Sequence, residues 1–467
     1  MVYFSIAVLL LVSTVIVTII VRDTVQSRVE LFSTRNVFLF GILLFQTVSA
    51  VFSLSADDYG QVFIQSPALT SLGFCLCLVL FLVFFFGAYN KAPVIAKFAQ
   101  RVTTTHDASD AGILVCAFFA ILIGLLFRFV LGPIPILGNL TMQLASGAFA
   151  VSCGLAGWAW GRRPANFVIF ISAVGVVLVC VAALLTFTFG RREVMGVMVA
   201  FVWGLYYTRW RLSSPTLLVF RATVFGSIGL VFLMFFTASR QGDESNRTAA
   251  DYLVAFTRVS ADEIVESAFA LGSGQQAASN SMWLMETHPS EFSYDTLHSL
   301  AYFAMHPVPR TIYENKLNPL GQSMVHDAGI TKVADEYSVG PGLIGHVFND
   351  NPWIALPLYA VLLGLALRYI DTRVQSAITD PFVVLPLGAG LSQLLAIPRG
   401  ELGLFAFQMM TAIVGGWLAL RMIAPLLWWR VEPDTEDDEC EFDHTEYDND
   451  APPDQNGDAR DVLMRGS

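Results

Sequence analysis

Residues 68–89 read Ala-Leu-Thr-Ser-Leu-Gly-Phe-Cys-Leu-Cys-Leu-Val-Leu-Phe-Leu-Val-Phe-Phe-Phe-Gly-Ala-Tyr, 22 positions without a charge. Coiled as a helix rising about 1.5 Å per residue, such a run covers the roughly 30 Å hydrocarbon core of a bilayer. In lipid every backbone amide must find its partner within the segment, so the run is a helix and not a strand. Similar runs recur at 3–21, 36–54, 111–131, 139–160, 166–189, 193–208 and 216–237, and again at 351–370, 380–397 and 402–428. The expectation is an all-α, polytopic membrane protein of about eleven transmembrane helices. A large polar interval, partly helical and extracytoplasmic, separates the eighth helix from the ninth. The chain divides into 1–237, the first eight helices; 238–350, an outer cap; 351–430, the last three; and 431–467, a tail.

Composition agrees. Charged residues make up 14% of the chain and hydrophobic ones 55%, whereas soluble domains carry about 25% charged residues. The net charge of −11 belongs to the tail, where 431–467 hold 14 acidic residues and 2 arginines. The other 430 residues balance 25 basic against 24 acidic side chains. An acidic tail with prolines and asparagines reads as disordered and cytoplasmic. Five of six cysteines lie in apolar runs, which excludes a disulfide framework or a zinc spacing. The first run lacks a positive leader and a small-residue cleavage site, so it reads as a retained helix.

Lys and Arg set the orientation. Arg22, Arg28 and Arg35 follow the first span, Lys91, Lys97 and Arg101 the third, and Arg162 and Arg163 the fifth. Arg209 and Arg211 follow the seventh, Arg368 and Arg373 the ninth, and Arg430 the eleventh; 55–67 and 132–138 hold none. The N-terminus is therefore expected outside, the C-terminus inside and the 238–350 interval outside. Within that interval, 249–270 and 293–305 show helical spacing, with Leu253, Phe256 and Ile264 on one stripe and Phe269 off it. No internal repeat and no Gly-Lys-Ser/Thr phosphate loop is present, which argues against ATP-driven transport.

Seven cations break the charge rule on the outer side: Arg128, Arg191, Arg192, Arg240, Arg310, Lys316 and Arg399. Singly, each reads equally well as a helix-end anchor in headgroups or a partner of a neighbouring acid, as Arg192 beside Glu193 and Arg399 near Glu401. Together they favour an anionic ligand, since the guanidinium fork matches phosphate oxygens. The most distinctive pattern is His306-Pro-Val-Pro-Arg310-Thr-Ile-Tyr-Glu-Asn-Lys316-Leu-Asn-Pro319. Its prolines predict extended backbone presenting Arg310 and Lys316; the plainer reading is a loop docked with Tyr313 packed.

These features resemble the bacterial oligosaccharide repeat-unit polymerases, the Wzy-type O-antigen polymerases. The resemblance rests on many passes, the late outer loop and the Pro309-Arg310 to Lys316 stretch. It also rests on Gly340-Pro-Gly-Leu-Ile-Gly-His346-Val-Phe-Asn-Asp-Asn-Pro-Trp353 leading into a helix, and on the turn Arg399-Gly400-Glu401. It implies a bacterial inner-membrane glycosyltransferase of polysaccharide synthesis. A glycan on polyprenyl pyrophosphate would pass to a new lipid-linked repeat unit, beside a flippase and a chain-length regulator of the same pathway. The pyrophosphate is already the leaving group, so no nucleotide, metal or other cofactor is needed, and no nucleic acid is implicated.

Arginines would then stabilise the departing charge and one base would take the acceptor proton. His306 and His346, each inside a motif, are the preferred bases, followed by Glu401 and Glu286, although a lone loop histidine is usually a packing residue. An O-antigen ligase is the near alternative, and a transporter or flippase the alternative of another class. Transporters place charge at mid-membrane and carry repeats, and the span centres here are almost free of charge.

Overall fold

The computed structural model describes residues 1–100, 108–134, 137–187, 191–238, 259–272, 276–330 and 338–427. Among these the secondary structure is helical, without a strand. The helices are α1 (Val2–Val25), α2 (Thr34–Ala56), α3 (Pro67–Asn90), α4 (Pro93–Gln100), α5 (Asp110–Leu131) and α6 (Gly138–Arg162). Next come α7 (Phe167–Phe187), α8 (Arg191–Thr208), α9 (Pro215–Ala238), α10 (Ala261–Gly272), α11 (Ala277–Thr287) and α12 (His298–Met305). The last are α13 (Leu320–Asp327), α14 (Leu343–Asn349), α15 (Pro352–Ser376), α16 (Pro381–Gly388), α17 (Leu391–Ala396) and α18 (Leu402–Leu427).

Eight of them, α1, α2, α3, α5, α6, α7, α15 and α18, are long and apolar enough to cross a membrane. The other three predicted runs are helical but differ in kind. Helix α8 opens on Arg191, Arg192 and Glu193; the apolar described part of α9 is Pro215–Val231; and the 380–397 run is split into α16 and α17 around Gly388 and Gly390. Of the helix expected over 249–270, the described part is α10. Leu253 and Phe256 lie outside the described residues, Ile264 is half-buried, and Phe269 is largely exposed with its ring 6.2 Å from that of Phe52.

Helix α6 is the axis of the bundle because its small residues let backbones touch. A Cβ on Gly204 of α8 would lie 2.1 Å from the carbonyl oxygen of Gly154, and one on Gly147 would lie 2.1 Å from that of Ala412 in α18. Apolar tails gain nothing by leaving lipid for protein, so close backbone packing of this kind holds such bundles together.

The two ends of the bundle are chemically distinct. At one end the Asp371 carboxylate, fully buried on α15, accepts from Thr34 N–H (2.7 Å), Thr34 Oγ1 (2.8 Å), Arg35 N–H (3.2 Å) and Tyr89 OH (2.8 Å). Arg35 reaches Asp23 at 2.9 Å, and Tyr206 OH donates to Glu30. At the other end lies the segment between α10 and α15, tied down by three contacts. Ser279 Oγ donates to Ser53 Oγ (2.9 Å), Leu343 N–H donates to the Pro398 carbonyl (3.1 Å), and Glu286 takes the N–H groups of Gln65 and Ser66, each at 2.7 Å. Those amides precede and open α3, where unpaired donors and the helix dipole both favour a carboxylate.

Candidate functional site

Helix α12 carries the site. It can sit against α18 because Gly403 has no side chain: a Cβ there would lie 2.4 Å from the Ser299 carbonyl. His298, Tyr302 and His306 recur every fourth residue and so share one face. Their rings follow one another, His298 to Tyr302 at 6.3 Å and Tyr302 to His306 at 5.4 Å, and His306 ends 4.8 Å from Phe407. His298 is fixed by Asp295 (2.6 Å) and the Asn318 carbonyl (3.0 Å).

Beyond α12 the chain does not run extended. Val308 N–H bonds to the Met305 carbonyl, and Ile312 and Tyr313 N–H bond to that of Pro309, so the two prolines sit in successive turns. Lys316 folds back to close this loop, with Nζ donating to the carbonyls of His306 (2.6 Å) and Val308 (2.9 Å). Arg310 Nη2 donates to Asn318 Oδ1, and Tyr313 is exposed rather than packed. Tyr302, His306, Pro309, Arg310, Lys316, Leu317, Pro319 and Gln322 thereby line an open cavity of about 370 Å³. Burial, reinforced by the Lys316 cation, pushes the His306 imidazole down to about 4, so the ring is neutral at pH 7. Burial and the nearby Arg310 lower the Lys316 ammonium.

His346 and Glu401 lie one layer behind the cavity wall. Glu401 Oε1 accepts the N–H of Gly321, the residue beside Gln322, and Oε2 lies 3.5 Å from His346 Nε2. His346 Nε2 accepts the Leu402 N–H (3.1 Å), which places the ring proton on Nδ1, 2.7 Å from Ser299 Oγ. Asp350 receives Ser299 N–H (2.7 Å), Asn349 Nδ2 (2.8 Å) and the Tyr359 hydroxyl. Burial raises Asp350 and raises Glu401 to about 7, and burial pushes His346 down to about 3.

This pair therefore carries one proton near pH 5.5, on the carboxyl and not on the ring, and it is a neutral contact rather than an ion pair. A carboxyl whose folded value exceeds its usual 4.5 stabilises the fold below pH 4.5, and that contribution disappears as pH rises through 7. An imidazole held below its usual 6.5 stabilises above pH 6.5, and its contribution is lost as pH falls toward 3. Between pH 4.5 and 6.5 the two slopes oppose. Glu401→Gln removes the carboxyl's slope, so between pH 6.5 and 4.5 the thermal stability of the variant in detergent should fall more steeply than the parent's, by about 1.4 kcal/mol per pH unit. Equal slopes in variant and parent would refute the raised Glu401 carboxyl.

The described cations among the seven do not all line one cavity. Arg310 and Lys316 share the cavity. Arg192 stacks on Phe405 with its guanidinium carbon 4.2 Å from the ring centroid, and its Nη1 lies 3.5 Å from Gln408 Oε1. Arg399 is half-buried in the turn before α18, where its carbonyl would lie 2.5 Å from a Cβ on Gly340. Arg128 falls in the π-helical turn Phe127–Leu131 that ends α5. Arg191 opens α8 with its side chain outside the described residues, as is all of Arg240. Among the described residues no group of His, Cys, Asp or Glu is arranged to hold a metal ion. Glu286 is occupied in capping α3. Tyr302 and Gln322 were not singled out from sequence; the four-residue spacing of Tyr302 to His306 was the available signal, while Gln322 had none.

Fold and cavity define an all-helical polytopic membrane protein with a cationic, aromatic-lined chamber at one end of its bundle. No protein-family model matches the chain, and neither the curated proteins nor the solved structures hold a match.

Proposed function

We propose that this protein is a membrane glycosyltransferase that polymerises oligosaccharide repeat units carried on polyprenyl pyrophosphate, at the outer leaflet of the bacterial cytoplasmic membrane. The observation that carries the reading is the cavity itself, where a guanidinium, an ammonium and a neutral imidazole meet at the end of the bundle opposite Arg35 and Asp371. On the charge rule the Arg35 end is cytoplasmic, so the cavity faces outward, with the N-terminus outside and the C-terminus inside.

In the reaction, the acceptor hydroxyl oxygen bonds to the donor's anomeric carbon as the bond from that carbon to the phosphate oxygen breaks. The polyprenyl pyrophosphate leaves with the electron pair. Arg310 meets the charge that develops on its oxygens. His306, the one base candidate that lines the cavity, accepts the hydroxyl proton. Glu401 and His346 hold the wall from behind. Arg192, Arg399 and Arg128 do not line the cavity and are left to lipid headgroups and the approaching pyrophosphate.

Deleting the gene and resolving surface polysaccharide on a gel tests the reading. Single repeat units on their normal acceptor are expected. Unattached long chains would make the protein a ligase, and an unchanged ladder would remove both assignments.

A further inference from the structure

Arg310 and Lys316 can pull an anion toward the cavity, but point charges do not distinguish one sugar from another. The same cavity is lined by Tyr302 and Gln322, whose hydroxyl and side-chain amide have no hydrogen-bond partner among the described residues, and by His306, whose Nδ1 is buried and unpaired. Buried polar groups are nearly always hydrogen-bonded, and the exceptions call for an explanation. His306 Nδ1 is fully buried and unpaired, in a structure where the neighbouring His298 and His346 have both ring nitrogens engaged. A volume near 370 Å³ stands at the small end of the roughly 300–1,000 Å³ typical of ligand sites. It has room for a compact polar head, with its mouth open to whatever that head carries.

A sugar ring meets this set of groups well. Each hydroxyl both donates and accepts, and a primary amide offers a donor edge and an acceptor edge side by side. A phenol adds one hydroxyl that both donates and accepts. Resting on the polymerase reading, we propose that Gln322 and Tyr302 are the specificity-determining pair, reading the hydroxyl pattern of the single sugar bound directly to the pyrophosphate. Arg310 holds the phosphates at the same time, and the rest of the repeat unit lies outside the chamber. Selectivity then comes from hydrogen-bond mismatch: a sugar with the wrong hydroxyl orientation leaves the Gln322 amide or the Tyr302 hydroxyl unpaired.

The test uses the full-length protein purified in detergent and its thermal unfolding. The probes are undecaprenyl pyrophosphate and the same lipid bearing one glucose, galactose or N-acetylglucosamine. Bare undecaprenyl pyrophosphate should stabilise the parent, Tyr302→Phe and Gln322→Ala equally. One of the sugar-bearing lipids should bind the parent about tenfold more tightly than the bare lipid, the yield of two or so neutral hydrogen bonds. That gain should shrink to about twofold in each variant. Tyr302→Phe deletes one oxygen, so an unchanged melting temperature without ligand establishes that folding is intact. Sugar-bearing lipids no tighter than bare lipid in the parent, or the full gain kept in both variants, would overturn the assignment while the polymerase reading stands. Failure of every pyrophosphate lipid to bind the parent would defeat both.

Discussion

Arg310→Ala is expected to cut polymer formation by about 10²–10³-fold, the scale of losing one preorganised donor to a developing oxyanion, with the amount of protein in the membrane unchanged. Of the two cations that line the cavity, the geometry favours Arg310. Lys316 already directs two donors at the carbonyls of His306 and Val308. Arg192 is stacked on Phe405. Arg310 has one side-chain hydrogen bond, from Nη2 to Asn318, and lines the cavity. Arg310→Lys should also be impaired, since an ammonium cannot grip two oxygens in a plane. Quantifying the glycan ladder beside an immunoblot of the membranes checks both variants. Wild-type ladders in both would remove Arg310 from the reaction.

His306→Ala is expected to slow the reaction by about 10²–10⁴-fold, the usual contribution of a positioned base, when activity is normalised to the folded protein in the membrane, because the ring also packs against Tyr302 and Phe407. The pH profile separates the candidates. A base works only when unprotonated. With His306 near 4, activity of the parent should climb through pH 4 and be level from pH 5 upward. With Glu401 near 7 as the base, the climb would instead fall near pH 7. A limb at 7 that vanishes in Glu401→Gln would transfer the role to Glu401.

The legible part of this chain was its hydropathy. The run at 68–89 became Pro67–Asn90, and the run at 351–370 became Pro352–Ser376, because lipid leaves a long apolar segment one backbone solution. The run at 380–397 was equally apolar, yet it breaks into two short helices. Hydropathy registers Pro386, Gly388 and Gly390 only as neutral residues and not as places where the helix stops. Charge counting found Arg310 and Lys316 but not their different duties. Nothing local told that the Lys316 ammonium would turn back onto carbonyls eight and ten residues earlier. The contact between His346 and Glu401 joins residues 55 positions apart, and the value of Glu401 depends on burial that only the assembled fold supplies. The turns at Pro307 and Pro309 were mistaken for extended backbone because proline restricts φ without determining which way the next residues fold.

The carboxylate of Asp371 also bears on how the protein is made. It receives the amide of Thr34, 337 residues earlier in the chain, together with Tyr89 of the third helix. During synthesis the first three helices leave the ribosome hundreds of residues before that acceptor exists. Until it arrives, Thr34 and Tyr89 lack their native carboxylate partner, although the first three helices already join through Ser13 to Thr47 and Ser71 to Ser5. Biogenesis of this protein is therefore completed from its C-terminal end.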